Sequence, residues 1–88
     1  MKLVIYGRKS CPFCVKAKKL AEDLKSVRED FDFDYIDYEE KGMSKEDISN
    51  EINQTVNTVP QILLDEKYIG GYDDLSAYVR KNRLFSKH

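Results

Sequence analysis

The stretch Leu3-Val4-Ile5-Tyr6-Gly7, followed three residues later by Cys11-Pro12-Phe13-Cys14, sets the architecture of this chain. The four apolar residues are β-prone and closed by Gly7, which suits a short buried strand. Beyond the cysteines the period changes. Ala17, Leu20, Ala21, Leu24 and Val27 recur at spacings of three and four, while Lys16, Lys18, Lys19, Glu22, Asp23 and Lys25 fill the other faces. That pattern is an amphipathic helix with an apolar stripe. Pro12 fits its first turn, where the missing N–H has no helical acceptor and the fixed φ is already helical. Next, Phe33, Tyr35 and Asp37 alternate with Asp34, Ile36 and Tyr38, a run of strand-favouring residues. Strand, helix and strand together form a βαβ unit, with parallel pairing and a right-handed crossover.

Outward from this unit, Ser44-Lys45-Glu46-Asp47 reads as a capping box with Asp in place of Glu, opening a short helix through Ile48 and Ile52. Pro60 precedes the run Gln61-Ile62-Leu63-Leu64. Asp65-Glu66 then turns the chain into Lys67-Tyr68-Ile69, giving a β-hairpin. Gly70-Gly71 breaks the pattern, and Asp73 or Asp74 can cap a last helix striped by Leu75, Tyr78 and Val79. The expected order is β-α-β-α-β-β-α in an α/β fold. It forms one domain over residues 1–84, with a frayed tail over 85–88.

Composition narrows the function. With 41% hydrophobic residues, 4 Gly and 2 Pro, an 88-residue chain is expected to fold around a single core. Fifteen basic against 16 acidic residues leave none of the strong positive field that a nucleic-acid binder needs. The only continuous apolar stretch near the N-terminus is Leu3–Tyr6, too short for a signal core or a membrane span, so a cytoplasmic location is expected. In that reducing compartment a Cys-x-x-Cys pair reads as redox-active or metal-binding rather than as a structural staple. A structural zinc site takes about four ligands, and the chain offers 2 Cys and 1 His, so no metal is expected. Haem attachment would place His after the second cysteine, where Val15 stands.

A thiol attacks a disulfide only as thiolate, and an ordinary cysteine is only about 3% ionised at pH 7. If Cys11 sits just ahead of the helix, free backbone N–H groups and the helix dipole favour negative charge on its sulfur, with Arg8 as a nearby cation. Cys14, three residues on, comes within bonding reach of Cys11 and lies further from solvent, suited to resolving a mixed disulfide.

Three segments together resemble the glutaredoxins, in particular the short bacterial dithiol class, over about Met1 to Leu84. They are Gly7-Arg8-Lys9-Ser10-Cys11-Pro12-Phe13-Cys14, Thr58-Val59-Pro60 and Gly70-Gly71-Tyr72-Asp73-Asp74. The resemblance implies a thioredoxin-like fold with a four-stranded mixed sheet flanked by helices. It implies a cis bond before Pro60, which faces the cysteines. It also implies a glutathione site in which the Val59 backbone pairs with the glutathione peptide, with Thr58 flanking the groove. The N–H groups of Asp73 and Asp74 would bind the γ-glutamyl carboxylate, and the Asp74 side chain the ammonium. Without the resemblance, Asp73 and Asp74 read as helix caps. Arg8 matches a basic residue near the glycine carboxylate, Tyr72 lines the groove, and Phe13 stands where the family most often has Tyr. Asp73 often corresponds to a small polar residue, and a second carboxylate near an anionic ligand weakens binding.

The function implied is glutathione-dependent reduction of protein disulfides and glutathione mixed disulfides, with Cys11 as nucleophile and Cys14 as resolving thiol. Ribonucleotide reductase is one client implied by the bacterial class, and a monomer is the simplest state. Two rivals stay open: a thioredoxin-like reductant recharged by a protein reductase, against which stand the absence of Trp and the Pro12-Phe13 pair, and a dimer holding an iron–sulfur cluster through Cys11 and glutathione.

Overall fold

The side chains of β1 (Lys2–Gly7) are apolar on both faces, and the strand accordingly takes an inner place in a four-stranded sheet. The computed structural model describes residues 1–85 of the chain. The remaining elements are α1 (Pro12–Val27), β2 (Asp32–Asp37), α2 (Lys45–Ile52), β3 (Gln61–Leu64), β4 (Lys67–Gly70) and α3 (Tyr72–Lys81), in the expected order. The strand order is β2-β1-β3-β4. β1 runs parallel to β2 across the α1 crossover and antiparallel to β3, and β3 runs antiparallel to β4, so the sheet is mixed.

Alternation along β1 divides the core in two. Leu3 and Ile5 point to the layer holding Ala17, Ala21 and Leu24 of α1 and Leu75 and Val79 of α3. Tyr6, with half-buried Val4 packed beside it, faces Ile48 and Ile52 of α2, together with Tyr38 and Val56. In α1 the predicted stripe holds except at its end: Leu20 is half-buried, and Val27 is 39% exposed. Phe31, in the connection to β2, fills the core there instead. The helix has run out by then, so a residue set by the turn reaches inward.

Local signals account for the helix ends. Cys11 is the N-cap of α1, with Pro12 in its first turn. At α2, Ser44 Oγ accepts from the Asp47 N–H at 3.1 Å and Asp47 Oδ2 accepts from the Ser44 N–H at 2.8 Å, so aspartate closes the capping box. The expectation that Asp73 or Asp74 caps α3 needs correction. The N-cap is Gly71, whose N–H donates to Asp74 Oδ2 at 3.1 Å, which makes Asp74 the third residue of the helix rather than its cap. β4 also extends one residue past Ile69, to Gly70 at φ +123°. In the β3–β4 turn, Asp65 and Glu66 both take left-handed φ, +49° and +69°. The turn is tied to β1 by the Asp65 N–H donating to Lys2 O and the Lys2 N–H to Asp65 Oδ1, each 2.8 Å. Of the expected tail 85–88, Phe85 is 44% exposed and the rest lies outside the described residues; Leu84 is buried, and its carbonyl accepts from Arg28 Nη1 at 3.2 Å.

The edge strand β2 carries Asp32 and Asp34 on an exposed face. Lys2 Nζ lies 3.3 Å from a carboxylate oxygen of each, and Lys25 Nζ lies 3.0 Å from Asp32. Charges on an open edge also oppose pairing with a second sheet. Lys25, then the Phe33 N–H and Lys2, hold the Asp32 carboxyl down at about 2 from its ordinary 3.8. Because the folded value is the lower one, this stabilisation is complete above the ordinary value and is lost as pH falls toward about 2. Urea midpoints measured from pH 5 to pH 2 should therefore fall more steeply for the unaltered protein than for Asp32→Asn. The effect should be small, since the pair is exposed.

Candidate active site

Cys11 owes its position to two neighbours. As N-cap of α1 it has extended backbone, and its Sγ accepts the Cys14 N–H at 3.2 Å, one of the donors left free at a helix start. Its thiol also donates to Val59 O at 3.6 Å. Only 6% of the residue is exposed, whereas Phe13 next to it is 51% exposed. The sulfur therefore sits at the floor of an aromatic rim, where the dipole of α1 favours negative charge.

Cys14 is fully buried under the end of β1. Room for it exists because residue 7 is glycine: a Cβ there would stand 2.9 Å from Cys14 Sγ and 2.6 Å from Tyr35 Oη. Burial pushes the Cys14 thiol up to about 12, and the hydrogen-bonded Cys11 sulfur adds to the rise; the Arg8 backbone and the Tyr35 hydroxyl pull it down. Both cysteines are free thiols. Of the two, Cys14 has no exposed surface and Cys11 keeps 6%.

A groove of about 430 Å³ opens beside this pair. Phe13, Thr58, Val59, Pro60, Tyr72, Asp73 and Asp74 all line it, so seven of the eight residues expected around glutathione come together. The Val59–Pro60 peptide bond is cis, as the resemblance implied. The Phe13 and Tyr72 rings approach to 6.2 Å between centroids at 34°, and Lys16 Nζ lies 5.1 Å from the Phe13 centroid. At the far end, the first turn of α3 presents N–H groups with no helical acceptor.

Residues 3–69 match the family model described as Glutaredoxin. The chain is a glutaredoxin. It is 48% identical to Glutaredoxin 1 of Escherichia coli over 82 residues, covering 93% of this chain and 96% of that one. Against the glutaredoxin of Haemophilus influenzae it is 49% identical over 81 residues, covering 92% and 93%. Among solved structures, reduced E. coli glutaredoxin superposes with a TM-score of 0.84 at 47% identity, covering 94% of this chain and 98% of that one. A buckwheat glutaredoxin–glutathione complex superposes with a TM-score of 0.69 at 25% identity, covering 93% and 71%. Membership makes the chain a thiol–disulfide oxidoreductase with a thioredoxin-like fold.

In this glutaredoxin the eighth expected residue, Arg8, does not line the groove. Neighbouring Tyr38 first, then Glu39 and last the Cys11 sulfur push its guanidinium up from its ordinary value, and its Nε is buried with no hydrogen-bond partner. Two groove residues, Gln61 and Tyr68, were not anticipated; Gly71, from the segment Gly70-Gly71-Tyr72-Asp73-Asp74, joins them. Gln61 Nε2 donates to Thr58 O at 2.8 Å and Tyr68 Oη donates to Gln61 Oε1 at 2.6 Å, a clamp on the loop that carries Val59. The signal for it was a polar residue opening an otherwise apolar strand. Among the described residues, no three His, Cys, Asp or Glu side chains gather as metal ligands, and no helix is long and apolar enough to cross a membrane.

Proposed function

We propose that this glutaredoxin, as one domain over residues 1–84, reduces protein disulfides and glutathione mixed disulfides with glutathione as reductant. The observation that carries the reading is the Cys11 sulfur at the N-terminus of α1, 3.2 Å from the Cys14 N–H and 3.6 Å from Val59 O beside the groove. The Cys11 thiolate attacks one sulfur of a disulfide, a new S–S bond forms, and the displaced thiolate takes a proton. Cys14 then gives up its proton and attacks Cys11, releasing the second substrate thiol and leaving a Cys11–Cys14 disulfide. A first glutathione thiolate opens that disulfide to a glutathione adduct on Cys11, and a second removes the adduct as glutathione disulfide, restoring both thiols.

The groove supports glutathione as that thiol. The open Val59 backbone suits an extended peptide, and the first-turn N–H groups at Asp73 and Asp74 suit a carboxylate. Asp74 Oδ2 is engaged by Gly71, which leaves its other oxygen for an ammonium. Phe13, Thr58, Pro60 and Tyr72 complete the walls, with Arg8 acting from a distance on the glycine carboxylate. The buckwheat complex, named for its glutathione, lends support from a related fold. A cytoplasmic monomer with ribonucleotide reductase among its clients completes the proposal.

The test is turnover of a small glutathione mixed disulfide with glutathione, glutathione reductase and NADPH, alongside reduction of a protein disulfide. Cys14→Ser should lower the protein-disulfide reaction about a hundredfold or more while leaving mixed-disulfide turnover largely intact. Equal loss of both would refute the assigned roles; no turnover in the unaltered chain would refute the glutathione reading.

A further inference from the structure

A buried thiol pushed up to about 12 poses a problem for the second half of the reaction, since Cys14 must lose its proton to attack. One side chain from outside the groove faces it. Tyr35 comes from the middle of β2, and its hydroxyl reaches over β1 to donate to Arg8 O at 3.1 Å. The position that a Cβ on Gly7 would occupy lies 2.6 Å from the Tyr35 oxygen and 2.9 Å from the Cys14 sulfur, so hydroxyl and thiol both border the space this glycine leaves open. The ring is fixed by packing against the α1–α3 core layer and by Lys18 Nζ, 5.3 Å from its centroid.

We propose that Tyr35 is a positioning residue for Cys14, its hydroxyl holding the buried thiol against Gly7 and turning its hydrogen toward the sulfur as negative charge develops there. The inference rests on the dithiol reading above. In the step concerned, Cys14 S–H passes its proton to solvent, the Cys14–Cys11 bond forms, the Cys11–substrate bond breaks, and the leaving thiolate takes up a proton. No further oxidant or reductant is required. Tyr35 stays protonated throughout, consistent with the upward push on its hydroxyl from burial and from Cys14. The other ionisable groups facing this pair are Cys11 from the start of α1, Asp37 at the end of β2 and Lys18 over the ring. Tyr35→Phe leaves all three in place.

The experiment starts from protein carrying one glutathione on Cys11 and follows glutathione release by Cys14 in a single turnover across pH. Tyr35→Phe should slow release about tenfold at neutral pH, the scale of a hydrogen bond to a charged group, and should move the rise in rate to higher pH. Mixed-disulfide turnover through Cys11 alone, compared between Cys14→Ser and Cys14→Ser with Tyr35→Phe, should change less than about twofold. Unchanged release, or equal slowing of both reactions, overturns the inference. Should Tyr35→Phe not fold, the ¹³Cζ resonance of Tyr35 in the unaltered chain decides instead. It should shift when the pair is oxidised, and an unmoved resonance overturns the proposal. A native chain inactive toward the mixed disulfide would sink the glutathione reading itself, a result distinct from either outcome for Tyr35.

Discussion

Cys11→Ser is expected to lower thiol–disulfide turnover about a thousandfold or more, to the uncatalysed background. A serine hydroxyl is not ionised at neutral pH and cannot carry the covalent disulfide intermediate. Cys14 cannot take over, because it is fully buried and held neutral, with its thiol pushed up to about 12. The substitution is also a clean one. Serine is a strong N-cap, so Oγ can accept the Cys14 N–H as the sulfur does, and the start of α1 should survive. Thermal melting should move by no more than an exposed-site substitution would move it, within about 0.5 kcal/mol. Coupled NADPH oxidation and a melting curve on the same sample check both halves. Turnover within tenfold of the unaltered protein would transfer the nucleophile's role away from Cys11.

Ile5→Ala is expected to have the largest effect on stability, about 2–5 kcal/mol. Ile5 has no exposed surface, sits mid-strand in β1, and pairs with Tyr35 on one side and Ile62 on the other. Its side chain belongs to the layer beneath α1 and α3, so truncation leaves a cavity between rigid elements that cannot close around it. A domain of 88 residues belongs at the lower end of the usual 5–15 kcal/mol of total stability, so a loss of this size should lower the melting temperature by about 10 °C or more. Val4, one residue earlier, provides the contrast. It is half-buried on the face covered by the single short helix α2, and Val4→Ala should cost about 1 kcal/mol. Urea unfolding of both variants checks the ranking, and a larger loss at Val4 would contradict the assignment of the principal core.

The residues that were legible in advance and those that were not differ in the range of the interactions that place them. Helical periodicity from Ala17 to Leu24, the Ser44–Asp47 capping box, the Asp65-Glu66 turn and the placing of Cys11 ahead of Pro12 all depend on neighbours within about one helical turn. The sequence alone therefore carried the order of elements and the pair of cysteines at a helix start. The three motifs added the groove, and seven of its eight expected residues come together there. Val27 and Phe31 exchanged places in the core because the stripe of α1 ends where the helix ends, and the return path to β2 decides which side chain turns inward. Arg8 stands outside the groove although it lies only three residues before Cys11, because the path of the chain between β1 and α1 decides where its side chain goes. Gln61 and Tyr68 form their clamp only once β3 and β4 have paired. The convergence of Gly7, Cys14 and Tyr35 requires the parallel register of β1 with β2 and the seating of α1 across both. These contacts join residues far apart in the chain, and no local pattern specifies them; packing of the two layers does.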